Sequence, residues 1–334
     1  MAFPRRSLVL PLLTLLVLGV MPGVAVGTGV GWSLARMTKT VAIGANTFTA
    51  AASFDTVAPT VSATVISKTG LYFASFIKQG GTYYVYANAT DAGTPATGIA
   101  SITADVSAIT TGQTAAALTA GSYSVEGASY GYRSASLTAN SSLTEGSKSY
   151  TLTSTDNATN SRLQTGYTVT VDNTVPSASD VQTANGGATA GTIELGDTIT
   201  LTFSEVIDPE SILAGWTGAS TSVVVRFTNS GSADRYAVWN AANIAQLNLG
   251  SVNTHGDYVT TDVTAGASGT ASSMVLNTGT RTVTVTLGTI AGTVKNDAGN
   301  NNEGWTPSAS AFDRAGNAMS TTSVTESGTS DKDF

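Results

Sequence analysis

Asp55-Thr56-Val57-Ala58-Pro59-Thr60-Val61-Ser62 returns further along the chain as Asp172-Asn173-Thr174-Val175-Pro176-Ser177-Ala178-Ser179, each copy standing just before a fresh run of alternating apolar residues. Proline fixes φ and donates no backbone hydrogen bond, so an Asp/Thr-rich stretch ending in Pro suits an extended joint that feeds an edge strand. The repeat therefore divides the chain into β-modules. Between the copies the period is two: Tyr83, Val85, Ala87 and Ala89 share one face, as do Ile102, Ala104 and Val106, then Tyr150 and Leu152, then Tyr167, Val169 and Val171. Such alternation predicts half-buried strands. Turn formers such as Asp91-Ala92-Gly93-Thr94-Pro95 and Thr144-Glu145-Gly146 punctuate them at the spacing of a sandwich.

The second module opens on Gly196-Asp197-Thr198-Ile199-Thr200-Leu201-Thr202-Phe203-Ser204-Glu205, with Ile199, Leu201 and Phe203 pointing one way. Met274–Leu276 and Arg281–Leu287 flank the turn phrase Asn277-Thr278-Gly279-Thr280 and read as a hairpin. The stretch from Trp216 to Val263 is longer than a minimal sandwich needs and predicts an inserted helix or extra strands. The expected class is all-β, two tandem sandwiches with the second elaborated. The bounds are 1–27 for a leader, 28–55 for an extended segment, 56–173 and 174–327 for the modules, and 328–334 for a C-terminal tail.

Arg5 and Arg6, an apolar run from Leu8 to Val20 and the small-residue stretch Pro22-Gly23-Val24-Ala25-Val26-Gly27 make residues 1–27 a secretory signal peptide. Pro11 and Pro22 break the run, which is short of the ~20 residues of a spanning helix, so membrane contact is expected only through this segment if it stays uncleaved. The expected location is extracellular or at the cell surface. Formal net charge is −7 and only 11% of residues are charged. Phosphate binding needs clustered positive charge, which excludes nucleic acid as a partner. No cysteine is present, so disulfides, thiol catalysis and thiolate metal sites are excluded. Unstapled secreted modules need real cores, and about 115 and about 150 residues suffice for one each.

The leader followed by Gly44-Ala45-Asn46-Thr47-Phe48-Thr49-Ala50 resembles the start of camelysin- and TasA-like proteins, and departs from them at Trp32-Ser33-Leu34-Ala35-Arg36, where an aromatic-Ser-Asp phrase is usual. This resemblance implies export through a dedicated signal peptidase and association with fibres and biofilm matrix. Gly98-Ile99-Ala100-Ser101-Ile102-Thr103-Ala104-Asp105 in the first module resembles bacterial immunoglobulin-like (Big-type) repeats of large surface proteins. So do the strand ending at Glu205, Ile207-Asp208-Pro209 and Asp313-Arg314-Ala315-Gly316-Asn317 in the second. That resemblance implies Ig-like sandwiches.

Asp297-Ala298-Gly299-Asn300 and Asp313-Arg314-Ala315-Gly316-Asn317 are near copies, with Asp156-Asn157-Ala158-Thr159-Asn160 a degenerate third. One reading is a turn in which Asp caps backbone N–H groups. The other is calcium, with Asp297, Asn300, Glu303 and Asp313 as the expected ligands beside Asn301 and Asn302, although the spacing is not that of an EF-hand loop. Trp216, Trp239 and Trp305 cluster in the second module beside Tyr236 and Tyr258. They supply either core area or a stacking platform for sugar rings.

For an enzyme the inventory is thin. His255 is the one histidine, and the chain carries no His-Glu-x-x-His helix or phosphate loop. Glu205 and Asp208 lie close in sequence but do not establish a hydrolytic carboxylate pair. The expected protein is non-enzymatic, with no cofactor except calcium. It is a secreted structural or adhesive component of the cell surface or matrix that assembles with copies of itself or other surface proteins, its N-terminal segment exchanging as a strand. The alternative is a carbohydrate-binding module that takes polysaccharide through the aromatics of the second module.

Overall fold

The computed structural model describes the strands Val41–Ile43 and Asn46–Phe48 and residues 54–334 except 298 and 331. Residues 1–27, expected as a leader, and most of the segment to residue 53 lie outside the described residues. Val41–Ile43 and Asn46–Phe48 pair antiparallel with each other, Val41 opposite Phe48. The remainder, Asp55–Phe334, is a separate compact unit.

That unit is almost wholly β and holds two large sheets. The first has nine strands, running in space as Thr60–Ser67, Thr82–Thr90, Ala128–Ser134, Ala116–Val125, Ile99–Asp105, Gly146–Asp156, Ser161–Val171 and Phe76–Ile77, with Leu137–Thr138 paired to Thr82–Thr90. One face fills a core of Tyr83, Val85, Ala87, Ile102, Ala104, Val106, Tyr150, Leu152, Val169 and Val171. These are alternating residues of the sequence, and burying each large side chain among them contributes on the order of 1.5–3 kcal/mol. The sheet is one hydrogen-bonded path rather than two separate layers. Gln164 draws its ends together: its side-chain Nε2 donates to the Val61 carbonyl at 3.0 Å and its Oε1 accepts the Val61 N–H. Strand Thr60–Ser67 is irregular between Val61 and Ala63, which turns both Val61 backbone groups toward that amide.

The second sheet has eleven strands, ordered Ala178–Ala184, Thr198–Phe203, Thr282–Thr286, Ser272–Asn277, Thr221–Thr228, Arg235–Asn240, Ser251–Asn253, Gly304–Thr306 and Val324–Thr325, with Val263–Ala265 and Ile290–Ala291 as a side branch. Ile199, Leu201 and Phe203 are buried on its inner face. The hairpin turns on Asn277, whose carboxamide oxygen accepts the N–H groups of Gly279 and Thr280. The long middle supplies extra strands. The one helix among the described residues, Pro209–Ile212, lies before it and is started by Asp208 as N-cap with Pro at its first turn.

Residues 328–334, expected as a tail, end inside the second core. Phe334 is fully buried, edge-on to Phe227, Tyr236 and Tyr258 at 5.4–5.9 Å, and its carbonyl accepts the Gly191 N–H. Buried Asp333 accepts the hydroxyls of Thr183 and Tyr258.

Each module has its own core, yet polar ties hold the two in one unit. Buried Asp208 accepts the Tyr72 and Phe73 N–H groups of the first module, both at 2.9 Å. Lys78 donates to the Gly316 carbonyl, and the Arg314 guanidinium lies over the Phe76 ring at 4.1 Å. Gly316 holds φ +92, a conformation that suits glycine, and a Cβ there would meet Leu71.

Candidate functional site

The repeated phrase builds the same polar knot twice. Asp55 Oδ1 accepts the Val57 N–H at 3.0 Å, and Asp172 Oδ1 accepts the Thr174 N–H at 3.1 Å. Each joint is then clamped by a loop that closes its own module. Asp156 accepts the backbone and side-chain N–H groups of Asn160, and the same Asn160 amide donates to the Asp55 carbonyl at 3.1 Å. Asp313 Oδ1 accepts three successive N–H groups, from Ala315, Gly316 and Asn317. Its Oδ2 accepts the Asn317 side chain, which also donates to the Asp172 carbonyl at 2.9 Å.

A third carboxylate joins each knot from the loop after a core strand, Asp91 in the first and Glu205 in the second. Asp55, Asp91 and Asp156 can each place an oxygen within 4.8 Å of the others, as can Asp172, Glu205 and Asp313. The two triads differ in how their charges are satisfied. In the first, the Val57 N–H leads in holding the Asp55 carboxyl below its ordinary value, with Thr97 donating through both its backbone and its hydroxyl. Asp91 accepts from Gly93 and Gly98.

In the second triad, Glu205 Oε1 is buried with no hydrogen-bond partner. Burial, then the Asp172 and Asp313 carboxylates, push Glu205 up to about 7. Burial also raises Asp313, against the pull of its Asn317 bonds. Three carboxylates, one of them with an orphaned oxygen, are hard donors of the kind calcium takes. Asp172, Glu205 and Asp313 are the residues that would hold such an ion.

The four residues expected as calcium ligands are not brought together. Asp313 belongs to the second joint. Asp297 instead accepts the Asp257 and Gly299 N–H groups and the Asn301 amide. Asn300 is exposed, and Glu303 is fully buried, where one oxygen accepts the Tyr236 hydroxyl. The reason is spacing. In all three phrases Asp bonds to the Asn four residues on, at Asn160, Asn301 and Asn317, so Asn300 is not the counterpart of Asn317. The sequence signal that points to the triads is the occurrence, in both modules, of a joint aspartate together with an Asp-x-x-x-Asn loop. Glu205 and Asp208 do not form a pair, since Asp208 serves Tyr72, Phe73 and Glu210.

Two of the three tryptophans offered as a sugar platform are core residues. Trp305 is fully buried, edge-on to Phe203 at 5.1 Å, with its indole N–H donated to the Leu249 carbonyl. Trp216 is buried and donates to Ala219. Trp239 is half-buried, and its ring carries the Arg226 guanidinium at 3.6 Å. His255 is exposed, with Nδ1 at 2.6 Å from the Asn302 carbonyl, an arrangement that does not build a nucleophile–base pair. No protein-family model and no curated protein matches the chain.

Proposed function

We propose that this is an exported, non-enzymatic structural protein of the cell surface or extracellular matrix, made of two Ig-like modules. On this reading each sheet is a sandwich whose layers are joined at one rim, and the joint at Pro176 is a fixed bracket rather than a free hinge. The carrying observation is the buried Asp208 carboxylate of the second module, which takes two backbone N–H groups of the first. Hydrogen bonds that cross between modules onto a buried carboxylate resist relative motion, because separating them leaves that carboxylate unsatisfied. The leader supports export. The likeness of its N-terminal region to camelysin- and TasA-like proteins supports assembly into fibres by strand exchange through residues 28–54.

Electron microscopy of the secreted full chain, with and without that segment, tests this. Ordered assemblies from the full chain and folded monomers after deletion are expected. A full chain that stays monomeric at high concentration, or a deletion that still assembles, overturns the exchange role. A second reading, carbohydrate binding, is favoured by one observation: the half-buried Trp239 stands in a depression of the second sheet that mixes apolar and polar side chains.

A further inference from the structure

Strands Thr221–Thr228 and Arg235–Asn240 pair with Arg226 opposite Ala237 and Val224 opposite Trp239. Alternation sends Val223, Val225 and Phe227 into the core and leaves Arg226 on the outer face with Arg235 and Trp239. There they line a depression of about 470 Å³ together with Asn243, Gln246 and Asp262, within the size range of small-ligand sites.

The Arg226 guanidinium that lines it is held in place before any ligand arrives. Arg226 Nε donates to the Asn243 carboxamide oxygen at 2.6 Å and one Nη2 hydrogen to the Asn243 carbonyl. Asn243 adopts φ 57, a conformation Asn tolerates better than most residues, and so turns both oxygens toward the arginine. Trp239 supports the group from below through a cation–π contact. Of the five guanidinium donors, two are committed to Asn243. Among the described residues the ion pair within 4 Å joins Lys295 to Asp257, and none involves Arg226 or Arg235. In a chain of net charge −7, two arginines without a carboxylate partner share one depression.

Arg226 also occupies the ring face that a stacking sugar would need. A neutral sugar platform is therefore not what the side chains build. An oriented guanidinium with free donors matches a carboxylate, for which planar, forked recognition is the strong geometry. Around it, Asn243 and Gln246 offer both donors and acceptors and Asp262 adds an acceptor, the mixture that hydroxyl groups require. A bare inorganic anion would gain nothing from Asp262.

We infer that the Arg226–Trp239–Asn243 depression binds a carboxylated sugar residue, a uronate of an acidic polysaccharide, with Arg226 taking the carboxylate and Arg235 adding charge at the rim. This deepens the carbohydrate reading and rests on it.

Affinity electrophoresis of the full chain, with chelator present so that divalent ions cannot bridge acidic groups, tests it. The gels contain polygalacturonate, alginate or hyaluronate, with methyl-esterified polygalacturonate and polyphosphate as comparison polymers. Retardation by at least one uronate polymer is expected, lost on esterification, absent with polyphosphate, and reduced at least tenfold in Arg226→Gln. Arg226→Gln with wild-type retardation overturns the inference. If that variant melts early, Arg235→Gln, at an exposed position, decides: a several-fold loss supports the site and an unchanged mobility overturns it. Equal retardation by the methyl ester rejects the carboxylate while keeping carbohydrate binding. Retardation by polyphosphate as strong as by the uronates means that any anion suffices and rejects the sugar. No retardation by any polymer rejects both the inference and the carbohydrate reading.

Discussion

The side-chain amide of Asn317 donates at once to the Asp313 carboxylate and to the carbonyl of Asp172, so one group ties the closing loop of the second module to the joint that opens it. Asn317→Ala strands a buried carboxylate oxygen and a joint carbonyl, at a cost of about 1–3 kcal/mol. Asn317→Asp is expected to be worse in chelator, because it adds a fourth carboxyl group beside Asp313, Asp172 and Glu205. Thermal unfolding of both variants checks the order, and equal melting temperatures would contradict it.

Glu205 sets a pH dependence with a definite sign. Burial and its acidic neighbours raise the folded-state value to about 7 from an ordinary 4.5. Between those values the folded chain holds a proton that the unfolded chain has released, so this group's contribution to stability falls as pH rises and levels off above about 7. Glu205→Gln removes that loss. In chelator the variant is expected to gain on the wild type between pH 4.5 and pH 8 in paired melting curves. A difference that does not change with pH refutes the assignment.

Millimolar calcium is expected to raise the melting temperature, since a ligand bound by the folded state alone stabilises it by about 2.7 kcal/mol at a hundred times its dissociation constant. The gain should disappear in Glu205→Gln and Asp313→Asn and persist in Asp297→Asn, whose carboxylate is engaged elsewhere. No shift between chelator and calcium leaves the triads as hydrogen-bonded turns alone.

The fragment that begins at Asn173 is expected to unfold cooperatively, because its core is separate from that of the first module. It should melt below the whole chain, having lost the Asp208 contacts with Tyr72 and Phe73. In the full chain Asp208→Ala, which leaves the half-buried Tyr72 and Phe73 N–H groups without this partner, should cost on the order of 1–3 kcal/mol in all. A fragment without a cooperative transition would mean that the two modules share one folding unit.

The strands were legible because burial on one face writes a period of two directly into the chain, as at Tyr83, Val85 and Ala87 or Ile199, Leu201 and Phe203. Asn277-Thr278-Gly279-Thr280 was legible because a turn is a local object. The acidic triads were legible only in part: the joint aspartate and the Asp-x-x-x-Asn loop recur in both modules, but Asp172, Glu205 and Asp313 come from distant positions and strand order brings them together. Arg226 reads as an ordinary outward residue of an alternating strand, and nothing local announces that Asn243 will orient it. The segment ending in Phe334 is polar enough to pass for a tail. Its burial depends on an aromatic cavity assembled from Phe227, Tyr236 and Tyr258.

Strands at the rim of a sheet invite other chains to add on, because their backbone groups are a ready template. By occupying both backbone groups of Val61, Gln164 withholds that place from any neighbour. The module thereby avoids indiscriminate sticking at this rim. Replacing the glutamine with valine, a good strand former without an amide, would open a templating edge and turn a self-sealed module into one prone to aggregate.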